Sequence, residues 1–163
     1  MDTAKLIQYT HIARQKYLKT LDELPWEEIV EDRGASFASM RNIFLHVLDV
    51  EDRLINYAIP ERNEEWTQQD YMKFQDMHMI KKREVEVEKK TNTYLTTLTQ
   101  RELDRKITLP WRRNPPLVMR VEDILVMVAI EAASHMGELI ALLWQDDMQP
   151  PFLSWSDFLQ QGY

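Results

Sequence analysis

The chain has no cysteine. That removes disulfides, thiolate zinc sites and a cysteine nucleophile, and it gives no sign of an oxidising compartment. Glycine is nearly as scarce. Gly34, Gly137 and Gly162 are the only three, too few and too scattered for a phosphate cradle of the Walker or dinucleotide type. No uninterrupted apolar run approaches the roughly 18 residues that span a bilayer, so no membrane partner is expected. The opening residues Met-Asp-Thr-Ala-Lys-Leu-Ile-Gln lack the basic start and apolar core of a secretory signal, and we expect a cytoplasmic protein. An excess of basic charge is missing as well. The formal net charge is −7, which argues against nucleic acid as a partner, because phosphate binding needs a basic face.

What is present is helical pattern. A chain of 163 residues with 44% hydrophobic content suits one domain, residues 1–163, with a sizeable core. Apolar spacing predicts a first helix from about Thr3 to Glu23, stopped by Pro25. A second runs from an N-cap at Ser36 to about Ile59, before Pro60, and a third from about Thr67 to Thr99. A fourth covers Val121 to Trp144, and Leu153 to Gln160 suit a short terminal helix. Between the third and fourth, Ile107–Pro110 and Leu117–Met119 read as a short extended excursion or a plain loop. The fold class is therefore all-α, a four-helix bundle with one longer connection.

Two polar residues interrupt the most apolar of these helices. Val121, Ile124, Val128, Ala132, Leu139 and Leu142 form its inward stripe, and Glu131 and His135 fall inside it. A buried carboxylate costs several kcal/mol unless it is paired, hydrogen-bonded or metal-bound. Residues four apart have Cβ atoms roughly 5–6 Å apart, so both heads reach one point. Either a divalent cation sits there, or the two form a buried ion pair with each other or with an Arg or Lys from another helix. His46, at the margin of the second helix's broad apolar face, is the natural third donor, since two imidazoles and a carboxylate leave coordination positions open. Glu51 and Glu84 also project toward core-facing stripes and would orient a ligand imidazole through a hydrogen bond, unless helix rotation exposes them. His11 and His78 lie off their core lines and read as surface or half-buried residues.

The run Lys81–Lys90 is a solvated face with a Glu86–Lys90 pair at four-residue spacing. Trp111, Arg112 and Arg113 offer two fixed cations beside an indole, a docking point for an anionic cosubstrate or merely a plug for the bundle's end. Ile7, Met72, Met79 and Val85 are apolar residues outside a single stripe and mark a surface for a homodimer.

Three stretches carry a family resemblance. Ser36–Glu51, Leu103–Pro110 and Glu131–Leu143 resemble, in that order, the second helix, the extended stretch and the His-x-x-x-His-x-Gly-Gln helix of the DinB-like, or YfiT-like, four-helix bundles. The resemblance implies a divalent metal, zinc or nickel, held by His46, Glu131 and His135. Glu131 stands where the family pattern has histidine, and its harder oxygen donor brings iron(II) and manganese(II) into the range. It also implies a metal-dependent transferase or hydrolase that activates a small-molecule thiol cosubstrate, and a homodimer. No catalytic residue is identified. The competing expectation is a non-catalytic, stress-associated or scaffolding bundle in which the same residues form a structural knot.

Overall fold

The computed structural model describes residues 2–162, and of residues 110–113 the backbone alone. Its order is α1 (Thr3–Leu21), α2 (Trp26–Val30), α3 (Met40–Glu51), a π-helical extension (Asp52–Ala58), α4 (Met77–Leu95), α5 (Gln100–Leu103), β1 (Lys106–Arg113), β2 (Pro116–Arg120), α6 (Val121–Gln145) and α7 (Trp155–Gln161). Two short 3-10 turns lie between the π-helical extension and α4. The chain is all-α apart from the β1–β2 hairpin, and α1, α3, α4 and α6 pack on one another.

Local chemistry sets the ends. The side chains of Asp2, Ser39 and Asp76 accept hydrogen bonds from backbone N–H groups in the first turns of α1, α3 and α4. The cap of α3 is thus Ser39 and not Ser36, because Ala38, at φ +69°, turns the chain away from helix just before it. α4 begins at Met77, capped by Asp76, and not near Thr67, since most of the intervening stretch is non-helical. The longer connection is a hairpin: Lys106 pairs with Arg120 and Leu109 with Leu117, followed by a bulge. Ile107 and Leu109 point into the core, giving the alternation of a half-buried strand.

The core has two apolar clusters. One gathers Tyr17, Leu21, Phe44, Leu48, Ile80 and Leu139. The other gathers Ile7, Ile55, Ile107, Val121 and Ile124. On α1 and α3 the residues between them are charged. His11, Arg14 and Glu51 are buried there together with Glu84 of α4. The His11 ring donates from Nε2 to Glu51 Oε1 at 2.9 Å, Arg14 donates from Nη1 to Glu51 Oε2, and from Nε to Glu84 Oε1 at 3.1 Å. Burial alone would push the Glu51 carboxyl up, but Arg14 and His11 outweigh it and hold it well below its usual range. Glu84 goes the other way: burial pushes it up, and Arg14 does not fully offset that beside the charge of Glu51.

Two expectations are corrected here. His11 is a core residue, 3% exposed, because its imidazole has a carboxylate to meet. Ile7 is fully buried and offers nothing to a docking surface, whereas Met72, Met79 and Val85 are exposed. By length and composition α6 is able to cross a bilayer, with a mean hydropathy of 1.6 over one 18-residue window. That average escapes a search for uninterrupted runs. In this fold its apolar stripe packs on α1 and α3.

Candidate metal centre

α3 and α6 bring His46, Glu131 and His135 together. One donor atom from each lies within 4.8 Å of the others. Glu131 and His135 stand one turn apart on α6, with Glu131 Oε2 3.6 Å from His135 Nε2. The rings of His46 and His135 meet edge to face, centroids 4.7 Å apart at 83°.

The group sits at a rim and not in an internal cavity. The Glu131 side chain is 45% exposed, the His135 side chain 13%. The reason is angular. At about 100° per residue the buried stripe of α6 centres about 90° from Glu131 but only about 50° from His135. Glu131 was therefore marginal to that stripe, and His135 nearer its middle.

Two residues not singled out from the sequence fix the orientation of His135. Its Nδ1–H donates to Glu138 Oε1 at 2.9 Å. Glu138 Oε2 in turn accepts from the Ser36 hydroxyl at 2.6 Å and from the Ser36 backbone N–H at 3.3 Å. Burial would raise the Glu138 carboxyl, but the Ser36 and His135 hydrogen bonds hold it below its usual value. With Nδ1 committed, the lone pair of a neutral His135 is on Nε2, which faces Glu131. The spacing of Glu138 from His135, one turn on the same face, was the available signal. Ser36, expected as a helix cap, instead bonds Glu138.

Phe37 covers the imidazoles. Its ring stacks on His46 at 3.9 Å and 20°, and meets His135 edge-on at 5.3 Å. The loop that carries it turns through two left-handed residues, Gly34 at φ +66° and Ala38 at φ +69°, and is pinned by Arg33 N–H to Ala38 O at 2.7 Å. Burial, with the neighbouring His135, lowers His46 to about 4, so its ring is neutral and a free donor near pH 7.

The remaining expected residues are placed as follows. Glu51 and Glu84 do not support the donor imidazoles: Glu51 engages the ring of His11 together with Arg14, and Glu84 pairs with Arg14. His78 is exposed, and Glu86 pairs with Lys90 at 2.8 Å, both as expected. The side chains of Trp111, Arg112 and Arg113 lie outside the described residues.

The donor set fits a divalent ion chemically. Two neutral imidazole nitrogens and one carboxylate oxygen suit zinc and its neighbours, and the histidine–carboxylate link from His135 to Glu138 is the usual support behind a metal-bound imidazole. Tetrahedral zinc with bonds near 2.1 Å sets its donors roughly 3.4 Å apart, so small side-chain rotations would close the 4.8 Å spread. A family model described as the DinB superfamily matches residues 9–139, a span that holds all three donors and Glu138. No curated protein matches the chain.

Proposed function

The chain belongs to the DinB superfamily, and from that premise we propose that it is a metalloenzyme acting on a small molecule, its cation held by His46, Glu131 and His135. The fold is then a four-helix bundle formed by α1, α3 with its π extension, α4 and α6, with the site at one edge. The carrying observation is the approach of Glu131 Oε2 to His135 Nε2 at 3.6 Å while Nδ1 is already engaged by Glu138. Electron pairs on a carboxylate, His135 and a neutral His46 repel one another unless a positive charge lies among them.

When bound, the cation supplies acidity: a coordinated water or thiol loses its proton near neutral pH. The reaction we favour is transfer of a small-molecule thiol, with hydrolysis as the related outcome. The chain's own part is positional. Glu138 holds the His135 ring, Ser36 holds Glu138, and Phe37 excludes water from one face of His46. The carboxylate of Glu131 favours zinc, iron(II) or manganese(II) over nickel. A homodimer using the exposed Met72, Met79 and Val85 completes the reading.

Protein purified without a histidine tag or added metal should retain about one divalent ion per chain, and His135→Ala should lose it. Metal-free protein whose melting is unchanged by zinc or by chelator would overturn the proposal. One observation favours a second reading. His135 stands between two carboxylates, Glu131 and Glu138, and a protonated ring would bridge them as an ion triad in a non-catalytic bundle. In that case added zinc leaves stability untouched.

A further inference from the structure

On the far side of α6 from the donor group, α1, α6 and the segment before α7 enclose a cavity of about 230 Å³. Its walls are mostly apolar, among them Ala13, Met136, Ile140 and Phe152. Gly137 lines it as well, and a Cβ built there would meet nothing within 4 Å. The roof is tied down by Tyr9, whose hydroxyl donates to Leu153 O at 2.8 Å and whose ring meets Trp155 and Phe158 edge-on.

Two polar side chains line this cavity without a partner among the described residues. Tyr17 is 6% exposed and lines the cavity, yet its hydroxyl has no hydrogen-bond partner among the described residues. With no acceptor engaged in the described protein, the hydroxyl is available to donate to an occupant of the cavity. Lys16 lines the same cavity and is the only charged residue to do so among the described residues, in a chain of net charge −7. No carboxylate pairs with it among the described residues. Size narrows the occupant further. An apolar cavity of about 150 Å³ takes benzene, and drug-sized ligands need about 300–1,000 Å³. A volume of 230 Å³ lies between and suits one ring with a short substituent.

We propose that this cavity is a second ligand site, for a small monocarboxylate with a ring-sized apolar body. The body fills the space beside Gly137, and the carboxylate accepts from the Tyr17 hydroxyl and pairs with Lys16. The site is independent of any cation at His46, Glu131 and His135.

Calorimetric titration of the full chain with phenylacetate tests it, using 2-phenylethanol as the uncharged probe of similar shape. Phenylacetate should bind saturably, at one site per chain, and equally well after chelator treatment. Tyr17→Phe and Lys16→Met should each weaken it roughly tenfold, the worth of a hydrogen bond to a charged group. Gly137→Leu should abolish binding by filling the space. Tyr17→Phe removes a hydroxyl with no hydrogen bond to the described residues, so it decides the matter even where Gly137→Leu fails to fold. Absence of saturable phenylacetate binding, equal affinity for 2-phenylethanol, or unchanged affinity in Tyr17→Phe would each overturn the proposal.

Discussion

Two groups of histidine and glutamate meet on α3, one completed by α1 and α4 and the other by α6, and they differ in what neutralises them. His11, Glu51 and Glu84 close around Arg14, whose guanidinium is wholly buried and held protonated by both carboxylates against the cost of burial. His46, Glu131 and His135 have no arginine or lysine partner among the described residues. The first group brings its own cation and is complete within the chain. The second offers electron pairs at a rim that solvent can reach. Residue type alone therefore does not distinguish a ligand set from a structural knot. The presence of a fixed guanidinium does.

The largest expected effect breaks the inner group. Arg14→Leu leaves Glu51 buried without its cation and should cost about 3–5 kcal/mol, read by urea denaturation at neutral pH. A loss below about 1 kcal/mol would mean the knot contributes little. Next comes the contrast between its two carboxylates. Glu51→Gln removes a charge stabilised by two donors and should cost about 2–3 kcal/mol. Glu84→Gln should change stability by less than about 1 kcal/mol or raise it, because burial disfavours that charge.

Acid sharpens the same contrast. Glu51 has a folded pKa below its unfolded value of about 4.3, so its contribution is present above that pH and lost as pH falls toward the folded value. Glu84, raised on folding, works with the opposite sign and takes stability away as pH rises past about 4.3. Denaturation curves between pH 3 and 7 should thus show a weaker loss toward acid for Glu51→Gln than for the parent, and a stronger one for Glu84→Gln. The smallest effect concerns the outer group's cover. Ala38→Gly relieves a left-handed residue in the loop bearing Phe37 and should stabilise the fold by about 0.5–1 kcal/mol, as a shift in thermal midpoint.

The outer group was the more legible of the two in the sequence. Glu131 and His135 stand out because they interrupt an apolar helix at four-residue spacing, and His46 follows as the polar residue on the margin of another apolar face. Their support was hidden for different reasons. Glu138 was in plain view at helical spacing, but Ser36 and Phe37 reach the site through a loop whose left-handed turns no periodicity encodes. The inner group is half legible. Glu51 and Glu84 turn to the core as their stripes indicate, but His11 does so against expectation, because Ile7, His11 and Arg14 join Thr10, Ala13 and Tyr17 on the buried side of α1. A buried arginine cannot be seen from its own helix, because carboxylates on α3 and α4 decide its burial. Apolar spacing carries the four long helices directly, whereas α2 and α5 are too short to show a period, and the pattern at Ile107 and Leu109 leaves hairpin and loop both open.

Cobalt(II) titration of tag-free, metal-stripped protein tests the contrast most directly. The account predicts one cobalt per chain with visible absorption bands of nitrogen and oxygen ligation, abolished in His46→Ala and in His135→Ala but intact in His11→Ala. No uptake by the parent protein, or uptake lost in His11→Ala and kept in His46→Ala, would contradict it.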